Sequence, residues 1–274
     1  MTLRRALGPC AVVLAVAAAD PRAAAAQLAR PLAERSLLTT AVRDERAVWV
    51  NPAGLSRSTQ ASFAADLTVE RGGGEARLAQ YGLALSSRSL AFGWEHDRVP
   101  GGSSANLYVL GFGLGDELFS GGVAHRWYQG GQGSWDVALR GRATDAIDLS
   151  LVWHDIGSPV VRGATIQDRF VPAAGFRFLE GRILAGVEGD VPGDLGTLTE
   201  IRAGAGIAIA SRIVVACRWT FSRDVARRGV VVLVGLGGRT YRGSLVALFP
   251  EGGGLGAVGA NGALVGDLTG PSRR

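Results

Sequence analysis

The chain has 274 residues, 47% of them hydrophobic, with 41 glycines, two cysteines and a formal net charge of +5. So much apolar side chain excludes a disordered polar chain, and Cys10 and Cys217 are too few for a disulfide or zinc framework. The arginines are spread over the chain rather than gathered into one patch, so the basic balance does not indicate nucleic acid as a partner.

In chain order, Arg4 and Arg5 precede an apolar run from Ala6 to Ala19, and the small residues Ala23 to Ala26 follow Asp20, Pro21 and Arg22. This is the layout of a secretory signal peptide over residues 1–26, cleaved before Gln27. The apolar run is shorter than the ~20 residues that a membrane-spanning helix needs. Cleavage removes three arginines and one aspartate, lowering the net charge from +5 to +3, and Cys10 leaves with it. Residues 27–60 then form an N-terminal segment with no strand pattern.

From Ala61 onward, runs with every second residue apolar are joined alternately by long and short connections. The loop at 70–75 is followed by a tight turn at Ser86 and Ser87, the loop at 97–105 by a turn at Gly115 and Asp116, and the sorting continues to the long loop at 156–169 and beyond. Antiparallel strands crossing an outer membrane have short turns on the periplasmic side and long loops outside, so this sorting predicts a transmembrane β-barrel. Counting runs from Ala61 to Phe249 gives about 13 strands, and a weaker run between Gly259 and Leu268 is read as the 14th, since an even number is expected of a bacterial barrel. The fold class read here is all-β: a single antiparallel barrel over residues 61–268, preceded by a plug-like segment over 27–60 and followed by a tail at 269–274.

Each run has one apolar and one mixed side. Phe63, Ala65 and Leu67 oppose Asp66 and Thr68; Trp135, Val137 and Leu139 oppose Asp136, Arg140 and Arg142; Leu149 and Leu151 oppose Asp148 and Ser150. Further along, Glu188, Asp190, Arg202 and Arg218 also lie on the mixed side. These eight charges are expected in the lumen, neutralising one another across it, because buried charges must be paired. A half-solvated soluble sheet would alternate in the same way. It would not collect Trp94, Trp127, Trp135, Trp153 and Trp219 near one end of the strands, as an interfacial aromatic girdle does. Glycines at mixed-side positions, among them Gly93, Gly111, Gly122 and Gly204, leave room for a plug or a passage.

Ahead of the first strand stands Asn51-Pro52-Ala53-Gly54-Leu55, preceded by the acidic residues Asp44 and Glu45 and by Trp49. This resembles the N-terminal segment of the FadL-like outer-membrane barrels, and in look their PorV/PorQ-type relatives. Trp153-His154-Asp155-Ile156-Gly157-Ser158-Pro159 resembles the strand end of the same group, with Asp155 where Asn is usual and Ile156 where Leu is usual. The resemblance implies an outer-membrane barrel with Asn51 to Leu55 in a plug, passing hydrophobic or amphipathic small molecules. Its PorV-like branch implies instead a non-channel component of protein secretion or surface attachment, with exported proteins as partners. The residues alone also permit Asn51 to Leu55 to be a turn into the first strand, Asn before Pro being a turn initiator.

Chemistry-bearing patterns are otherwise missing. His96, His125 and His154 lie on separate strands with no ligand-spaced neighbour, Ser120 lacks a nucleophile elbow, and Gly111-Phe112-Gly113 is followed by no helix. No catalytic, metal or cofactor residues are assigned and no enzyme is expected. The expected partners are outer-membrane lipid and either small apolar molecules or exported proteins.

Overall fold

The computed structural model describes residues 30–57, 60–72, 75–98, 104–129, 132–161, 164–209, 212–238 and 240–266. The signal peptide read at 1–26 and the tail read at 269–274 lie outside the described residues, as do 27–29 and 267–268. The strands are β1 (Ala61–Gly72), β2 (Glu75–Ser87), β3 (Leu90–Arg98), β4 (Ser104–Gly115), β5 (Phe119–Tyr128), β6 (Gly133–Thr144), β7 (Ile147–Ile156), β8 (Val160–Val161) and β9 (Ala164–Thr165). They continue as β10 (Arg169–Phe178), β11 (Ile183–Pro192), β12 (Glu200–Ile209), β13 (Ile213–Ser222), β14 (Arg227–Gly237), β15 (Tyr241–Pro250) and β16 (Ala257–Gly266). All but the two-residue pair β8–β9 join in one closed antiparallel barrel of 14 strands, sealed where β1 pairs with β16. Closure leaves no unpaired edge, which a lipid surround requires.

Period-two alternation sets the two faces. On β1, Ser62, Ala64 and Thr68 are buried and point inward, while Phe63 and Leu67 are 43% and 45% exposed on the outer wall. The burial is inverted relative to a water-soluble protein: large apolar side chains lie outside and polar ones inside. Among the described residues no helix is long and apolar enough to cross a membrane. Leu149 is on the outer wall, the third residue of β7, paired with Gly141 and Ala174. Leu149→Arg is expected to destabilise the folded barrel, by about 2 to 4 kcal/mol if its depth is near the bilayer midplane and by less toward the interface. Folding titrations into lipid vesicles measure it, and a stability equal to that of Leu149→Ala would mean that the outer wall is misassigned. Its neighbour Ser150 faces inward with its hydroxyl 3.1 Å from that of Thr39, so the inward side is packed and is not a tolerant polar surface.

The lumen of a 14-strand barrel is too wide for its own side chains to fill. Here residues 30–57 enter it, carrying two short helices, α1 (Leu32–Ser36) and α2 (Ala47–Val50), and a 3-10 turn at Pro52–Arg57. Arg30 pairs with Asp190 near the long-connection end of β11, and Pro52 lies against Gly113 and Gly122 near the tight turn after β4. The segment therefore runs the height of the barrel. None of its helical turns was legible as a periodic run, because all are too short for the 3.6-residue pattern to repeat. The long connection between β7 and β10 also differs from a plain loop: β8–β9 forms a small hairpin, and Val161 is buried in the same apolar cluster as Trp49, Leu107 and Tyr128.

Candidate functional site

The lumen is divided into a filled half and an open half. In the filled half, against β3 to β6, Val48, Trp49 and Leu55 bury themselves beside Leu107, Val109 and Ala124. Burial of such side chains is worth about 1.5 to 3 kcal/mol each. The close approach depends on glycines in the wall: a Cβ at Gly93 would overlap the Trp49 ring, and one at Gly122 would overlap the backbone of Pro52 and Ala53. Asn51 is fully buried, its amide donating to the Thr39 carbonyl at 3.0 Å and its oxygen accepting from the Ala53 amide at 3.1 Å. Pro52, Ala53, Gly54 and Leu55 follow as that turn, inside the barrel rather than at its rim.

Polar anchors hold the same segment along β5 to β12. Arg126 lies 2.7 Å from both Glu34 and Asp136 and donates to the Trp49 carbonyl at 2.8 Å. His154 approaches Asp136 at 3.0 Å. Arg140 reaches Asp148 at 3.2 Å and the Thr40 carbonyl at 2.9 Å, while Arg142 stands 3.9 Å from Asp148. Glu188 pairs with Arg202 at 3.0 Å and accepts from the Thr39 amide at 2.8 Å; Asp190 lies 3.3 Å from Arg169. Burial pushes the Glu34 carboxyl up, but Arg126 and Arg169 outweigh it and hold it below the usual carboxylate range. Asp44 is held low in the same way, by Arg46 and Arg242 against burial. All eight lumen charges read from the sequence thus point inward. Their partners lie on neighbouring strands or on the central segment, since the filled interior stands between opposite walls. Arg126 and Arg169, inward but not singled out in the sequence, are the main cross-links.

The open half lies along β12 to β16. A cavity of about 390 Å³ at the short-turn end is bordered by Leu37, Leu38, Val214, Ala216 and Leu233, with Arg212, Arg218 and Arg242 around it. A second cavity of about 460 Å³, at the long-connection end, is bordered by Val231, Leu248 and Phe249, with Arg30, Arg35 and Arg228 beside Glu34, Glu70 and Glu200. The inward side chains of β14 and β15 are Val231, Leu233, Val246 and Leu248, as their register with Arg218 and Ala216 fixes. This apolar inner wall was missed in the sequence reading. Its signal is that Val230 to Val234 and Leu245 to Phe249 are apolar on both faces, whereas β6, β7 and β11 carry charges on the inner one.

On the outer wall, Trp94, Tyr108 and Trp127 stand side by side in register. His125 is held between Trp127 and Trp135, ring centroids 4.4 and 4.3 Å away, and Trp153 stacks on Phe170 at 5.0 Å. Trp219 stands apart from these on β13, between Ala203 and Val230. The aromatic row therefore belongs mainly to the wall of the filled half. Cys217 is a free thiol facing outward.

No family model and no curated protein matches the sequence. Among solved structures, a deltaS2S3 mutant of TodX, described as a monoaromatic hydrocarbon channel, superposes with a TM-score of 0.58 at 11% identity, covering 86% of this chain and 98% of that one. CymD, also described as a monoaromatic hydrocarbon channel, gives 0.55 at 11% identity over 86% and 97%. At that identity the likeness is one of fold: a closed 14-strand antiparallel barrel. The apolar outer wall of that closed barrel is the lipid-facing surface of a membrane-spanning barrel.

Proposed function

We propose that this protein is an outer-membrane channel for hydrophobic and acid-headed amphipathic small molecules, which pass along β13 to β15 beside the central segment. The observation that carries the reading is the pair of cavities set end to end on an apolar inner wall, beside the half of the lumen that the central segment fills. Arginines at both cavities outnumber the carboxylates: Arg46, Arg212, Arg218 and Arg242 against Asp44 and Glu45 in the lower one. An aliphatic tail on the wall and an anionic head among these arginines is the arrangement that suits the lining. The hydrocarbon channels that share the fold support the same substrate class.

The test is uptake of decanol and decanoate into vesicles with a lipopolysaccharide outer leaflet, itself a barrier to apolar solutes. The full mature protein is expected to speed uptake of both, and Leu233→Asp, which places a charge on the inner wall, to slow it by roughly tenfold, the cost of about 1.4 kcal/mol at the barrier. Uptake no faster than in protein-free vesicles overturns the channel. Co-purification of exported proteins in that case would favour a PorV-like secretion role.

A further inference from the structure

The inner wall of β1 to β3 departs from the charge pairing found elsewhere in the lumen. Asp66 and Glu95 both point inward; Asp66 is half-buried and Glu95 is only 2% exposed. Neither forms an ion pair among the described residues, whereas Asp136, Asp148, Glu188 and Asp190 each meet an arginine. Arg35, which acts on Glu95 from farther away, is paired with Glu70 at 3.4 Å, and Arg46 is taken by Asp44 at 2.6 Å. A buried carboxylate without a counter-charge is costly, so this pair calls for a cation or a proton.

The wall around the two carboxylates is shaped for a cation. Register sets Asp66 on β1 opposite Gly82 on β2, and Gly82 opposite Glu95 on β3. With no side chain at Gly82 the carboxylates flank a gap of bare backbone, where a Cβ would stand 3.1 Å from Asp66 Oδ2. A cavity of about 20 Å³ beside them is bordered by Leu32, Trp49, Asp66 and Glu95. That is room for one ion or one water, which needs roughly 10 to 15 Å³ on the same measure. Thr68, Gln80 and Asp97 form the next row along the same three strands. The Gln80 amide donates to Glu95 at 2.6 Å and to Asp97 at 2.7 Å, which draws the two rows together. Two oxygens of that row, Thr68 Oγ1 and Gln80 Oε1, are buried without a hydrogen-bond partner, and Thr68 has no exposure at all. Buried polar atoms are rarely orphaned in this way.

We propose that Asp66 and Glu95, with Gln80 Oε1 and Thr68 Oγ1, hold one calcium ion in the inner wall of β1 to β3. The donors are all oxygens, which suit a hard cation rather than zinc or copper. Among the described residues no three histidine, cysteine or carboxylate side chains form a metal site. The set is therefore two carboxylates completed by neutral oxygens and water. Calcium accepts about six to eight oxygens in irregular geometry, whereas magnesium demands a near-ideal octahedron. So few charges place the affinity at the weak end, with a Kd of about 0.1 to 1 mM. The ion does for this wall what arginines do for the rest of the lumen: it neutralises the carboxylates and ties three strands together. The site does not depend on whether the barrel conducts.

Terbium replaces calcium at oxygen sites and luminesces when an excited tryptophan lies close by, and Trp49 borders this cavity. The full mature protein, refolded in non-ionic detergent without lipopolysaccharide, is titrated with terbium and excited through tryptophan; calcium or magnesium then displaces the signal. A saturable signal is expected, displaced by calcium at lower concentration than by magnesium. Glu95→Gln and Asp66→Asn should each weaken terbium binding by more than about tenfold, since loss of even an outer-shell partner costs that much. Thr68→Val should weaken it less, and Asp194→Asn, in the exposed connection after β11, not at all. Calcium should also raise the temperature of the heat-modifiable transition of the parent, because a ligand of the folded state stabilises it, and should not raise that of Glu95→Gln. A heat-modifiable band certifies that each variant folds, and Asp66→Asn, at the less buried position, carries the test if Glu95→Gln does not. A parent transition that calcium leaves unmoved overturns the proposal and leaves the two carboxylates sharing a proton. A terbium signal that survives both carboxylate variants, or displacement by magnesium at the same concentration as by calcium, overturns it as well.

Discussion

Gly122→Val is expected to unseat the turn at Pro52 and Ala53 while the barrel still closes, whereas Gly121→Val, one residue away, should be close to neutral. At position 122 the new side chain points inward into the backbone of Pro52 and Ala53. Backbone cannot rotate aside as a flexible side chain can, so the turn must move. Once it does, Asn51 loses its hydrogen bond to the Ala53 amide, and the apolar cluster around Val48 and Leu55 opens behind it. Overpacking of this kind costs about 1 to 3 kcal/mol where neighbours can adjust, and more where they cannot. At position 121 the nearest atoms to a new Cβ are 3.7 Å away, an ordinary contact on the outer wall. Limited proteolysis of folded protein reads the difference: the N-terminal segment should become cleavable in Gly122→Val and stay protected in Gly121→Val. Equal protection in both would mean that the turn is not held by this wall.

The pair of glycines also shows what a sequence of this kind discloses and what it hides. Alternation is a property of each strand by itself, so the faces of β1, β6, β7 and β11 and the sorting of long and short connections are legible residue by residue. The strand number follows, and with it the closed barrel. What fills the barrel is fixed by contacts between residues far apart in sequence, such as Leu32 with Gly259 or Glu34 with Arg126 and Arg169. No local pattern encodes those. The inward glycines signal that something approaches the wall closely, but not that β4 to β6 take the turn at Pro52 while β12 to β16 stay open. Charges read as a lumen set were identified by face, yet their pairing could not be, because it depends on which element stands between opposite walls. The double-faced apolar runs of β14 and β15 carried the most information about where the lumen is open, since they line both cavities. They are hardest to read, because a continuous apolar run fits a buried core strand equally well.

Arg126→Met is expected to be the most damaging single change in the interior, because one guanidinium serves three elements at once. It meets Asp136 on β6, Glu34 on α1 and the Trp49 carbonyl on α2, all within 2.8 Å. Methionine fills much of the volume but leaves two buried carboxylates short of a counter-charge and a carbonyl without a donor. Breaking a buried pair by removing one partner costs about 3 to 5 kcal/mol. Glu34 keeps Arg169 at 2.9 Å and Asp136 keeps His154, so the loss falls on the joint between α1, α2 and the wall, and the barrel ladder is spared. Arg126→Lys should recover little, since a single ammonium cannot span three acceptors set for a planar fork. Arg228→Met supplies the contrast. That arginine pairs with Glu251 at 2.9 Å on the surface, with both side chains more than half exposed, and such pairs are worth about 0 to 1 kcal/mol. The midpoint of the heat-modifiable transition and protease protection of residues 30–57 measure both variants. Should Arg126→Met match Arg228→Met in both readouts, the central segment is held by its apolar contacts alone and the charge network contributes no net stability.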